Sequence, residues 1–297
     1  MQKNSNKSLI MLLLSMLIYG SIGIFRRYIP LPSAVIACFR GASGALILFI
    51  FAKLRKIKLV NGIGIKKVLL LILSGAVMGF NWILLFEAYN YTTVSTATLC
   101  YYMAPTIVII LSPLLFRERI TLKKGICAIV AVIGMIFVSG VVENGFPSPT
   151  EAKGILCGLG AAFLYAGVII LNKMLPGIDP YEKTIIQLAS AAVVLLPYIL
   201  LTGQNVSAEI TPIAVIMLLI VGVVHTGLAY ALYFGSIDGL RAQTVAIGSY
   251  LDPVTALVLS AIVLKEKMTV FGIIGAILII SAALISEIDF DSIKSGT

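Results

Sequence analysis

The sequence predicts an all-α integral membrane protein, with ten transmembrane helices arranged as two inverted five-helix repeats. Three observations predict it. Hydrophobic residues make up 60% of the 297-residue chain and charged residues 12%, against roughly 25% charged in a water-soluble domain; mean hydropathy is +1.07. Apolar runs long enough to cross a hydrocarbon core of about 30 Å recur along its whole length. One phrase occurs twice, 148 residues apart: Ala104-Pro105 followed by Glu118 and Thr121, then Asp252-Pro253 followed by Glu266 and Thr269.

The runs fall at 8–25, 33–53, 68–90, 93–115 and 125–142, then at 154–173, 183–202, 211–235, 241–263 and 269–286. The first follows Lys3 and Lys7 and ends in Arg26-Arg27 with no Ala-x-Ala pattern, so it reads as an uncleaved helix rather than a signal peptide. The second holds Arg40. The third carries Gly75-xxx-Gly79, a pattern that lets helices approach closely, then Trp82, Phe86, Glu87 and Tyr89. The fourth bears Tyr101, Tyr102 and Pro105, and the fifth completes a first unit, residues 1–145. Turn residues from Glu143 to Pro149 suit a linker. In the second unit, residues 146–297, the runs carry in turn Gly154-xxx-Gly158 with Tyr165, Gln187, His225 with Tyr230 and Tyr233, and Tyr250 with Asp252 and Pro253. Continuous rather than alternating apolar runs exclude a β-barrel.

Basic residues set the orientation. With the amino terminus in the cytoplasm, the inner segments hold sixteen Lys and Arg, and the outer loops hold five: Arg26, Arg27, Lys153, Lys265 and Lys267. Both termini are therefore expected on the cytoplasmic side of the cell membrane. Five crossings per unit is an odd number, so the second unit enters the membrane opposite to the first. That arrangement lets one central site face each side in turn, and paired helix breaks in matching segments point to where it lies.

Further positions keep the register. Phe86 matches Phe234, Tyr19 and Arg27 match Tyr165 and Lys173, and Arg40 matches Gln187. Together with Tyr19-Gly20, Phe86-Glu87-Ala88, Asn172-Lys173 and Gly275-Ala276, these residues resemble the EamA-type members of the drug/metabolite transporter superfamily, from about Leu9 to Ser286. The resemblance implies a ten-helix secondary transporter, often an exporter of amino acids or other small metabolites, with a cavity between its halves. Tyr19 and Tyr165 stand where that family often has Trp, and Asp252 where it usually has a small uncharged residue, so the substrate is not carried over.

Candidate site residues follow from charge and depth. Pro105 and Pro253 each remove a donor and free the carbonyls of Tyr101 and Ser249, which must face protein or a wet cavity. Asp252 lies at mid-membrane, where an ionised carboxylate has to be paired, wetted or protonated. It reads as a proton-coupling or substrate-amine site, or as a neutral acid hydrogen-bonded in the bundle. Glu87, among Trp82, Phe86 and Tyr89, could hold a cation by charge and cation–π attraction, line a wet interface, or be neutralised by Arg40. His225 is the only histidine, which argues against a metal site and leaves structural bonding, proton transfer or substrate contact. Tyr19, Tyr101, Tyr102, Tyr165, Tyr230, Tyr233 and Tyr250 supply hydroxyls for orienting a small polar molecule. Glu118 and Glu266 read as local ion pairs or caps for the helices that follow. Cys38, Cys100, Cys127 and Cys157 read as small hydrophobes.

No Gly-Lys-Ser/Thr phosphate loop, His-Glu-x-x-His or Gly-x-Ser-x-Gly pattern occurs. The expectation is therefore a secondary transporter rather than an enzyme or ATPase, with no cofactor, metal or catalytic residue. Transport would be proton-coupled or equilibrative, and the partners would be a small-molecule substrate, protons in the coupled case, and the lipid bilayer. The basic excess reads as topology, not nucleic-acid binding, and no obligate protein partner is implied. A broad exporter of lipophilic cations is the alternative.

Overall fold

The computed structural model describes residues 2–57, 64–116, 120–203, 211–237, 239–240 and 242–287, and among them every regular element is helical. In chain order these are α1 (Gln2–Arg27), α2 (Ser33–Leu54), α3 (Ile65–Tyr91), α4 (Val94–Tyr101), α5 (Ala104–Phe116), α6 (Leu122–Val138), the single turn α7 (Val141–Asn144), α8 (Pro149–Lys173), α9 (Pro180–Leu201) and α10 (Pro212–Gly222). A π-helical turn (Val223–Leu228) then leads into α11 (Ala229–Ile237), followed by α12 (Ala242–Ser249), α13 (Leu251–Val263) and α14 (Val270–Glu287).

Short polar residues fix where these helices begin. Thr93, Thr121 and Thr211 each accept the backbone N–H three residues on, at the starts of α4, α6 and α10. Asp179 does the same for α9, accepting from Tyr181 and Glu182. At α8, Ser148 and Glu151 form a reciprocal capping box with Pro149 between them, satisfying donors that the first helical turn leaves unpaired. Glycines with positive φ, Gly140 and Gly145, bracket α7, so the fifth run ends at Val138, before its expected end at 142, and only the second half of α7 lies in the expected linker.

Seven helices among the described residues are long and apolar enough to cross a membrane: Asn6–Arg27, Ser33–Leu54, Ile65–Tyr91, Val94–Leu115, Pro149–Lys173, Pro180–Leu201 and Pro212–Ile237. Ile247–Val263 and Val270–Ser286 are apolar but shorter, as is α6 with 17 residues, which rises roughly 26 Å. The core is apolar, but large apolar side chains also cover the outside while several small polar ones are buried. Leu201 and Leu122 are 87% and 82% exposed, whereas Ser15, Ser74, Asn81, Ser236 and Ser260 are fully buried. Polar side chains that cannot meet water in lipid turn inward and bond across helices. Gln187 donates to Ser74 Oγ (2.6 Å) and Asn172 Oδ1 (2.7 Å), and Asn81 donates to the Ala161 carbonyl (2.5 Å).

Helix pairing repeats itself within the bundle. α3 lies on α8, and α1 lies on α10 and α11; α4 and α5 lie on α8, and α12 and α13 lie on α1. α2 meets α9 and α6 meets α14. Small residues set the closest approaches. A Cβ at Gly75 would come within 2.4 Å of the Gln187 carbonyl, and Gly134 and Gly275 lie against each other's carbonyl oxygens.

At the carboxyl side of α13 the structure corrects one expectation. Glu266 does not cap the helix that follows it, because Thr269 already accepts the Gly272 N–H there. Instead it reaches across to α1 and α4, pairing with Arg27 (3.0 Å) and accepting the Val94 N–H (2.9 Å). The free donors at the start of α4 make that the better place for a carboxylate. Glu118, with Arg117 and Arg119, falls outside the described residues.

Candidate substrate site

The chain breaks at both repeated prolines. α4 stops at Tyr101 and α5 restarts at Ala104; α12 stops at Ser249 and α13 restarts at Leu251. Pro105 and Pro253 thus sit in first turns, where a missing N–H goes unnoticed. Each break turns the side chains beside it toward the middle of the bundle, and a cavity of about 720 Å³ opens there. Eight tyrosines line it, Tyr19, Tyr89, Tyr101, Tyr102, Tyr165, Tyr230, Tyr233 and Tyr250, together with Trp82, Ala104, Pro105 and Ser249. Pro253 is buried and outside the lining.

Its charged lining residues are Asp252 and Arg40. Asp252 is the second residue of α13, where the helix N-terminus favours a negative group. The Tyr102 hydroxyl donates to its Oδ2 at 2.7 Å. α1 is drawn against this turn at Gly20, where a Cβ would lie 2.4 Å from the Asp252 carbonyl; only glycine allows that approach. Tyr19, its neighbour in sequence, meets Tyr230 edge-on at 5.6 Å. Across the cavity Tyr101 stacks on Tyr165 with ring centroids 5.1 Å apart.

Arg40 is placed by the π-helical turn. Widening the helix at Val223–Leu228 lets Thr226 Oγ1 donate to the Val221 carbonyl five residues back, while accepting from Arg40 Nε at 2.9 Å. Gly44 and Gly227 allow α2 to lie close to this turn. The guanidinium covers the Trp82 ring at 4.1 Å, a cation–π contact.

Of the residues singled out in the sequence, the structure brings Asp252, Trp82, Tyr19, Tyr101, Tyr102, Tyr165, Tyr230, Tyr250 and Pro105 to one cavity, and leaves Glu87 and His225 out of its lining. Glu87 lies about 140° around α3 from Trp82 at 100° per residue, while Phe86 and Tyr89 share the Trp82 side. Its contact is with Asn90 Nδ2 at 3.5 Å, and Arg40 forms no ion pair with it. His225 is 1% exposed. Its Nε2 lies 2.9 Å from Ser21 Oγ and its ring packs edge-on against Phe25 at 4.7 Å, which makes it a strut between α1 and the π turn. Arg40 is the cavity residue that reading from spacing misplaced. A signal was available: it is the basic residue deepest within an apolar run, and intramembrane charges mark functional sites by default.

Two stretches of the chain, residues 6–140 and 152–287, match the EamA-like transporter family. A Bacillus subtilis (strain 168) protein named "Uncharacterized transporter YxxF" is 29% identical over 280 residues, covering 93% of this chain and 88% of its own. A "Probable amino-acid metabolite efflux pump" of Salmonella typhimurium (strain LT2) is 27% identical over 191 residues, 61% of this chain and 62% of its own. A solved crystal structure superposes with a TM-score of 0.65 at 16% identity, covering 94% of this chain and 95% of that one; this likeness speaks to the fold alone.

Proposed function

The chain belongs to the EamA-like transporter family, and on that premise we propose that it is a secondary transporter moving small metabolites such as amino acids or amines out of the cell by alternating access. One observation carries the reading: both proline breaks border a single amphipathic cavity at the centre of the bundle, walled by tyrosines and holding one acid. Transporters of this kind bind substrate where discontinuous helices meet.

The architecture we propose has ten crossings in two inverted units, residues 1–145 and 146–297, with both termini in the cytoplasm. The repeated helix pairing supports it, since α3 on α8 and α4 and α5 on α8 have counterparts in α10 and α11 on α1 and α12 and α13 on α1, and α2–α9 and α6–α14 join equivalent helices. The excess of basic residues on one side supports the orientation. In such an arrangement, exchanging the conformations of the two units would turn a cavity open to one side into one open to the other.

Asp252 is the proposed cation site, binding a substrate amine or a proton in exchange. Oδ2 is held by Tyr102, which fixes the carboxylate while its other oxygen stays available. Reconstitution into liposomes tests the proposal. Preloaded vesicles should accumulate radiolabelled substrate by counterflow for some member of an amino-acid and amine panel, and a proton gradient should change the rate. Counterflow confined to bulky lipophilic cations would replace this reading with that of a drug exporter.

A further inference from the structure

Arg40 is 6% exposed, yet its charge is not answered by the protein. Nε is taken by Thr226 and the flat face by Trp82; the two terminal Nη groups meet no protein acceptor among the described residues. The ion pair among those residues is Arg27 with Glu266, neither of which lines the cavity. A guanidinium buried without a partner carboxylate is costly, and its planar fork suits two parallel hydrogen bonds to a carboxylate. Beside it, Tyr19 lines the same cavity with a buried hydroxyl that has no hydrogen-bond partner.

Asp252 shares the cavity but forms no ion pair with Arg40. Each is tethered by its own neighbours, Arg40 by Thr226 and Asp252 by Tyr102, so the opposite charges do not collapse onto each other. An amine alone would satisfy Asp252 and leave Arg40 unanswered. An acid alone would do the reverse.

We infer that Arg40 is the anion-recognising residue of the cavity, assisted by the Tyr19 hydroxyl, and that with Asp252 it selects zwitterionic substrates carrying both an acid group and an amine over simple amines. This deepens the transport reading above and rests on it.

Trp82 is the only tryptophan in the chain and lies directly under Arg40, so its emission reports the site. The test titrates the intact protein in lipid nanodiscs with each non-aromatic amino acid, its methyl ester and its decarboxylated amine, alongside counterflow of the same compounds in liposomes. Binding should shift Trp82 emission saturably, with at least one amino acid about tenfold or more tighter than its ester and its amine, the loss expected for one charge-assisted bond. Arg40→Lys, which keeps the charge but removes the fork, should bring the amino acid and its ester to within about twofold of each other. The unmodified protein decides the matter through the ester even if the variant folds poorly. An ester or amine that binds and exchanges as well as its amino acid would overturn the inference and leave the transport reading standing. The absence of both emission change and counterflow across the panel would overturn the two together.

Discussion

Two carboxylates flank α13, Asp252 in its first turn and Glu266 just past its end, and they are surrounded very differently. Glu266 is saturated: Arg27 and the Val94 N–H each donate to it at about 3 Å, and Ser260 bonds to it as well, with Ser95 bonding to Ser260 in turn. Arg27 also reaches the Thr92 carbonyl at 3.0 Å. The cluster ties the ends of α1, α4 and α13 together and has no oxygen to spare. Asp252 has a single protein donor on one oxygen and a cavity in front of it. Matching charges to partners inside the protein stabilises a joint, whereas leaving them open in a cavity provides a place for a ligand.

Substitution at Asp252 should have the largest effect. Asp252→Asn removes the open charge but keeps the Tyr102 contact, so folding should be retained while counterflow falls about tenfold or more, the equivalent of one charge-assisted hydrogen bond. Transport in liposomes measures this, and a variant that still transports and still responds to a pH gradient would end the coupling role. Glu266→Ala should do the opposite. Losing the acceptor for three donors should cost roughly 2 kcal/mol or more of stability, seen as a fall of several degrees in the melting temperature in detergent, with substrate affinity in the folded fraction unchanged. Ser95→Ala takes away only the outermost hydroxyl of the cluster, and about 0.6 kcal/mol is expected. His225→Gln should move transport least, within about twofold, because the ring lies outside the cavity; a larger loss in counterflow with normal thermal stability would return it to the site.

The sequence carries the helices more clearly than the contacts among them. Apolar length and positive-charge bias depend on the bilayer, which acts on each segment separately, so spans such as Ser33–Leu54 and Pro180–Leu201 lie within a few residues of their expected places. The tyrosines that share the cavity were accessible for a similar reason, since proline breaks and polar stripes are local features. Arg40 and Glu266 were not. Whether Arg40 meets Glu87 or Trp82 depends on how α3 is rotated, and spacing along one helix leaves that open. The partners of Glu266 come from residues 172 and 239 positions away. The π turn was hidden too, because one extra residue in a turn leaves no mark in a run as uniformly apolar as 211–235. Without it Thr226 would sit about 100° away, and Arg40 would lose its tether.

The contact between Gly134 and Gly275 has a mechanical consequence. Where α6 crosses α14, main chain approaches main chain, flanked by Phe137, Val138, Leu278 and Ile279. Such a joint leaves little spare volume to redistribute, so displacement of either helix is passed to the other. Gly75 against the Gln187 carbonyl and Gly20 against the Asp252 carbonyl make joints of the same kind, so the helices are pinned to one another at several points along the bundle rather than at one.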